Sequence, residues 1–140
     1  MTAGANREAD AAFDPISLGI MWSRLIGIAD DMWTTVLRTA VSTIIGAAQD
    51  FGCEILDADA NSLAHSNRSM PVFNIVMPTV TRAVLQRYPA DRMRPGDVYI
   101  TNDPWLCAGH LDDIGAPKPF GAPELDECAL PAHPLPRLQR

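Results

Sequence analysis

The sequence lacks the features that would assign it to several large classes of protein. Its 140 residues include only 11 Lys and Arg against 17 Asp and Glu, and the net charge of -6 disfavours nucleic-acid binding, which needs clustered basic side chains. No segment has the form G-x-x-x-x-G-K-[ST] of a phosphate-binding loop. The apolar stretch from Ile16 is interrupted by Arg24 and Asp30-Asp31, well short of the roughly 20 residues that span a bilayer. We therefore expect neither a nucleic acid nor a membrane as a partner.

Cysteine and histidine are scarce as well, with three of each. Cys53, Cys107 and Cys128 are nowhere spaced as C-x-x-C, so the sequence predicts neither a disulfide framework nor a thiolate zinc site, and a reducing cytoplasm fits best. Residues 1–13 contain no apolar run of the kind found in secretion signals, and we expect them to form a flexible tail.

The residues that are present predict an α+β fold with a long first helix. Hydrophobic residues make up 47% of the chain, which is typical of a globular protein. Asp14-Pro15 can begin a helix, and the pattern predicts one from about Pro15 to about Ala40. Apolar residues follow at steps of three and four: Leu18, Met21, Leu25, Ile28, Met32 and Val36. Met21, Trp22, Met32 and Trp33 are interpreted as packing residues rather than as a ligand-binding stripe.

A β-hairpin is predicted next, with strands in Phe51–Leu56 and Ser62–His65. The intervening residues 57–61 favour a turn, because Asp and Asn side chains bond their own backbone. Asp57 and Asp59 resemble the start of a calcium loop, but the later glycine and glutamate of such a loop are missing. His65 is interpreted as a solvated or hydrogen-bonded side chain rather than a ligand.

The second half of the chain predicts a helix, a strand and a proline-rich end. Pro78 can begin the helix and Pro89 ends it, while Met70–Met77 is interpreted as a buried crossing segment. Val98–Thr101 is β-branched and aromatic enough for a short strand. Half of the chain's twelve prolines follow Gly115. We therefore predict a folded segment 14–114 and an unstructured tail 115–140.

The predicted strand leads into Thr101-Asn102-Asp103-Pro104-Trp105, followed by Gly109-His110-Leu111-Asp112-Asp113. An imidazole and a carboxylate three residues apart can reach one divalent ion, so His110 and Asp113 are predicted metal ligands. Asp112 and Asp103 are candidate catalytic carboxylates, although Asp112 could be a solvated turn residue and Asp103 could cap the loop that it begins. Cys107 is interpreted as a small packing residue.

These motifs resemble the signature of the hydantoinase B/oxoprolinase family. Further landmarks occur in the family's order between residues 14 and 114: Asp14-Pro15-Ile16, Leu37-Arg38-Thr39-Ala40, Asp50-Phe51 with Cys53, Leu56-Asp57-Ala58, Met77-Pro78 and Arg94-Pro95-Gly96-Asp97-Val98. Seven ordered matches make a chance resemblance a poor explanation of this sequence.

The resemblance implies ATP-dependent hydrolysis of a cyclic amide, of the hydantoin or 5-oxoproline class, by two kinds of subunit. A separate A-type subunit handles ATP in such a pair, and a divalent ion, Mn or Zn, activates water at the site that His110 and Asp113 match. In the family another histidine completes that site, and His133 does not match its surroundings.

The resemblance also implies a chain several times longer than 140 residues, so we expect a truncated or frameshifted product. Two alternatives remain open on the sequence alone. The chain could be a catalytically incompetent fragment that binds a partner, or an unrelated small α+β binding module.

Overall fold

The computed structural model describes residues 14–94, 96–107 and 109–120, together with the backbone of 132–134. Its main elements in chain order are α1 (Pro15–Thr39), β1 (Glu54–Leu56), β2 (Ser62–His65), α2 (Pro71–Arg87), β3 (Val98–Ile100) and β4 (Ala132–Pro134). A π-helical turn, Ile44–Ala48, follows α1, and a 3-10 turn, Ala90–Arg92, follows α2. The predicted α+β class is confirmed. No helix in the described ranges has the length and apolar character needed to cross a membrane.

The first helix begins where the sequence predicts. The carboxylate of Asp14 accepts a hydrogen bond from the backbone N–H of Ser17 at 3.2 Å, and Pro15 occupies the first turn, where its missing N–H costs nothing. The helix buries Ala29 and Trp33. Of the four residues interpreted as packing residues, Trp33 is buried, whereas Met21, Trp22 and Met32 are exposed within the described part of the chain.

The predicted hairpin is also confirmed. Strands β1 and β2 pair antiparallel, with Ile55 opposite Ala64. Asp57 organises the turn, since its Oδ1 accepts hydrogen bonds from the backbone N–H groups of Asp59 and Asn61 at 2.9 and 2.7 Å. These bonds agree with turn chemistry rather than calcium binding. His65 ends β2 with its side chain exposed.

Helix α1 packs on residues 51–68, which contain the hairpin and which we name the hairpin region. The contact is made through Trp33, which is 2% exposed. Its ring stacks on Phe51 with a centroid separation of 5.0 Å, and the Arg68 guanidinium lies 5.4 Å from the centroid of the Trp33 ring. One turn earlier, Asp30 Oδ1 accepts hydrogen bonds from the Ser66 hydroxyl at 2.6 Å and from the Asn67 N–H at 3.0 Å. Stacking and charge-assisted hydrogen bonds therefore join the helix to the residues that follow β2.

The Asp30 contacts predict a specific loss of stability in acid. The Ser66 hydroxyl, followed by the Asn67 N–H and Arg68, lowers the pKa of Asp30, while partial burial opposes this effect. A carboxyl group with a lowered pKa in the folded state stabilises the fold above its unfolded pKa of about 3.9 and loses that contribution as pH falls through the folded pKa. Urea unfolding of Asp30→Asn should therefore show a weaker pH dependence below about pH 4 than the unsubstituted chain. Asp91→Asn, at an exposed carboxylate, is the matched control, and an equal slope in both variants would contradict the assignment.

The predicted start of the second helix is wrong. Helix α2 begins at Pro71 and contains Pro78 in its interior. Both prolines suit a first turn, and the helix has Pro71 there. Pro78 therefore lies inside the helix, where it has no N–H to donate to the carbonyl four residues earlier. The segment Met70–Met77 is thus mainly helical rather than a buried crossing, and its Ile75 is exposed. The predicted end is confirmed, since the helix stops at Arg87.

Strand β3 forms where the sequence predicts, and the chain beyond it returns to pair with it. The N–H of Tyr99 donates to the carbonyl of Pro117 at 3.0 Å, and β4 pairs in parallel with β3. Residues 115, 117 and 132–134 thus satisfy backbone groups of β3 and of Thr101 beside it, while the predicted domain bounds, 14–114 and 115–140, stay a prediction. Residues 121–131 and 135–140, and the predicted tail 1–13, lie outside the described residues.

Candidate metal centre

The motif loop, residues 102–114, is closed at its base by Thr101 and Gly115. These two residues exchange backbone hydrogen bonds of 2.9 and 2.8 Å, and both are buried. Gly115 also lies against α2 so closely that an added Cβ would sit 2.9 Å from Val80 Cγ1 and 3.3 Å from Cys107 Sγ. A side chain larger than hydrogen has no room there, so the contact fixes the loop base against the helix.

Asp103 shapes the first part of this loop. Its Oδ1 accepts a hydrogen bond from the N–H of Trp105 at 2.9 Å, and its carbonyl accepts from the N–H groups of Leu106 and Cys107. Its own N–H donates to the hydroxyl of Thr101 at 3.2 Å. These contacts give Asp103 a turn-forming role of the kind that Asp often has. Its predicted catalytic role stays a prediction.

The predicted metal ligands converge. His110 Nδ1 lies 3.3 Å from Asp113 Oδ2, and the backbone N–H of His110 donates to the same oxygen at 3.3 Å. Gly109 precedes them with a φ of 98°, a left-handed conformation that glycine adopts without strain. The Asp113 side chain is only 17% exposed, whereas that of His110 is 81% exposed. A half-buried carboxylate thus holds one side of an imidazole that faces solvent.

This pair fits part of a divalent metal site. Ligand atoms about 2.1 Å from one ion lie roughly 3.0 to 3.4 Å apart when they are neighbours in an octahedral or tetrahedral shell, which includes the separation seen here. Alternatively, Asp113 can orient His110 through Nδ1 and leave Nε2 as the ligand atom. Among the described residues, no group of three or more His, Cys, Asp or Glu side chains could hold a metal ion. Of the other two histidines, His65 lies on the hairpin, and only the backbone of His133 is among the described atoms.

Asp112 and Cys107 complete the set of candidate residues in the loop. Asp112 is exposed beside the converging pair, and its predicted catalytic role stays a prediction. Burial raises the pKa of the Cys107 thiol, and the nearby carboxylates of Asp113 and Asp103 also raise it, against an opposing effect of the Gly115 backbone. Cys107 Sγ donates to the carbonyl of Thr101 at 3.5 Å. A neutral, partly buried thiol of this kind agrees with a packing role rather than a nucleophilic one.

The sequence did not indicate the importance of Thr101 and Gly115. Thr101 appeared as the last residue of a predicted strand, and Gly115 as the start of a proline-rich tail. The only local signal is the glycine itself, which permits a close backbone approach to a helix.

The chain belongs to the hydantoinase B/oxoprolinase family, whose family model matches residues 14–125. It is 37% identical over 101 residues to 5-oxoprolinase of Saccharomyces cerevisiae, a match that covers 72% of this chain and 8% of the relative. It is 33% identical over 106 residues to 5-oxoprolinase 1 of Arabidopsis thaliana, covering 76% of this chain and 8% of the relative. A putative B-type subunit of D-/L-hydantoinase from Pseudomonas sp. strain NS671 is 29% identical over 104 residues, covering 73% of this chain and 18% of the relative.

These matches span less than a fifth of each of the three relatives. No solved structure matches the chain. The matched region, 14–125, includes α1, the hairpin, α2, β3 and the whole motif loop.

Proposed function

We propose that this chain provides part of the catalytic site of a hydantoinase B/oxoprolinase-type subunit, which hydrolyses a cyclic amide of the hydantoin or 5-oxoproline class. The observation that supports this proposal is the convergence of His110 and Asp113 on a loop whose base is fixed between β3 and α2. The names of the similar proteins, 5-oxoprolinase and D-/L-hydantoinase, supply the two substrate classes.

The proposed cofactor is a divalent metal ion, Mn or Zn, held in part by His110 and Asp113. When bound, such an ion lowers the pKa of water and stabilises negative charge that develops on oxygen during attack on an amide. Asp113 keeps the His110 ring in a defined orientation through the 3.3 Å contact, which reduces the entropy lost when a ligand binds.

The exposed Asp112 is the better placed of the two candidate catalytic carboxylates. It lies next to Asp113 and faces solvent, so it can accept a proton from a water molecule near the amide carbon. The Asp103 carboxylate already accepts the Trp105 N–H, and we assign it the supporting role of holding the loop in place.

The proposed partner is an A-type subunit that binds ATP. An unstrained amide is a poor electrophile, and phosphoryl transfer to its oxygen would activate it for attack by water. The present sequence contains no phosphate-binding loop, which agrees with a division of labour between two subunits. A cytoplasmic location is proposed with this partner, since ATP is supplied there.

A chimeric enzyme tests the proposal without depending on the length of this chain. The matched 101-residue segment of the S. cerevisiae 5-oxoprolinase would be replaced by the corresponding residues of this protein. We expect the chimera to open 5-oxoproline only when ATP is present, as measured by glutamate release. The parallel assay offers a hydantoin to this chain mixed with an A-type hydantoinase subunit.

The outcome that would contradict the proposal is a folded chimera without activity. Native-like elution and circular dichroism of the chimera, combined with no ATP-dependent ring opening of 5-oxoproline, would show that these residues cannot perform the proposed role.

A further inference from the structure

One side of α1 carries a continuous apolar surface that the rest of the described chain leaves uncovered. We name it the outer seam. Its members are Leu18, Met21, Leu25, Ile28, Met32 and Val36. All are exposed except Leu25, which is half-buried. The helix packs on the hairpin region through Ala29 and Trp33, which lie on the adjacent side.

The spacing of the outer seam is typical of a helix–helix contact. From Leu18 to Met32 the steps are three, four, three and four residues, the 3.5-residue average at which two helices pack side by side. The seam is about 27 Å long at 1.5 Å per residue.

The first half of α1 has little packing within the described part of the chain. Every residue from 14 to 24 is exposed, and an added Cβ at Gly19 or Gly27 would meet nothing within 4 Å. Each glycine inside a helix costs about 1 kcal/mol relative to alanine, and helices in proteins depend on packing for most of their stability. Nothing among the described residues provides that packing for these turns.

Two charged residues beside the outer seam favour one kind of partner for this surface. Arg24 and Asp31 lie on the same edge of the seam, seven residues or about two turns apart, and both are exposed. The structure shows no ion pair for either residue within the described part of the chain. The opposite edge carries Trp22 and Ala29, which have no charge.

This arrangement is self-complementary in one orientation. When two copies of α1 lie antiparallel with Leu25 facing Ile28 of the partner subunit, Met21 faces Met32 of the partner subunit. Arg24 then lies beside Asp31 of the partner subunit, and two-fold symmetry forms this pair twice. A parallel arrangement would place both charges beside an uncharged edge. We propose that the outer seam is a self-association surface, at which α1 packs antiparallel on α1 of a second copy.

Charge reversal on the complete 140-residue chain tests the proposal, with sedimentation velocity over the micromolar range as the readout. Arg24→Glu and Asp31→Arg should each weaken the dimer by about tenfold, because each variant places like charges together at two symmetric sites. The double variant should restore the original affinity, since the exchanged charges pair again. Arg87→Glu, at the end of α2, is the matched control and should leave the dimer unchanged.

A second pair of variants tests the apolar contact. Ile28→Glu places a charge in the centre of the seam and should abolish association, whereas Ile75→Glu, on the exposed side of α2, should not. Circular dichroism would confirm that each variant keeps its helices. A chain that is monomeric at every concentration would overturn the proposal. So would a dimer that tolerates Ile28→Glu, or one in which the double charge reversal does not recover affinity.

Discussion

Replacing Trp33 by alanine should move the midpoint of urea unfolding to a much lower urea concentration than that of the unsubstituted chain. Trp33 is 2% exposed, stacks on Phe51 and lies under the Arg68 guanidinium, so its removal leaves a large cavity between α1 and the hairpin region. Truncation of a buried Trp typically costs about 3 to 5 kcal/mol, against a total stability of about 5 to 15 kcal/mol for a small domain. The free energy of unfolding would be measured by urea titration with circular dichroism.

Two further variants make this test specific. Trp105→Ala, at a side chain that is 79% exposed, should cost less than about 1 kcal/mol. Trp33→Phe should keep most of the stability, because Trp33 Nε1 has no hydrogen-bond partner among the described residues and a phenyl ring can still stack on Phe51. Equal unfolding midpoints for the Trp33 and Trp105 alanine variants would show that Trp33 does not organise the core.

Replacing His110 by alanine in the chimeric 5-oxoprolinase should reduce kcat/KM by at least about 100-fold, because the imidazole is proposed to hold the catalytic metal. Asp113→Ala should have a similar effect, since it removes the contact at 3.3 Å that orients the ring. Both losses should coincide with less bound Mn or Zn per molecule, measured by elemental analysis of the purified protein.

His65→Ala is the matched control for this test, because His65 is an exposed histidine on the hairpin rather than in the motif loop. It should change activity less than about twofold and leave the metal content unchanged. Full activity in the His110 and Asp113 variants would rule out the proposed metal ligands, and lost activity with unchanged metal content would assign the pair a role in substrate binding.

Elements that depend on short-range chemistry could be predicted from the sequence. The first turn of α1 follows from the Asp14 cap and Pro15, and the hairpin turn follows from the hydrogen bonds that Asp57 forms with its own backbone. The convergence of His110 and Asp113 agrees with their three-residue spacing and with the glycine before them, Gly109, which adopts a φ of 98°. In each case the interacting atoms are within four residues of one another.

Features that depend on a choice between equivalent local signals could not be predicted. Pro71 and Pro78 both suit the start of a helix, and only the packing of the whole helix decides between them. The periodicity of α1 predicts an apolar stripe, but the small Ala29 and the large Trp33 determine which side meets the hairpin region. The Thr101–Gly115 contact joins residues fourteen positions apart, and no local pattern indicates it.

The motif loop is held at its base by backbone hydrogen bonds between Thr101 and Gly115, and these bonds do not involve its exposed side chains. Trp105, Leu111 and Ile114 are all largely exposed on this loop. Because its ends are held by backbone atoms and by the Val80 contact, these three residues can be exchanged for others without moving the ends. The exposed positions of the loop can therefore vary in size and polarity while the loop keeps its place beside β3 and α2.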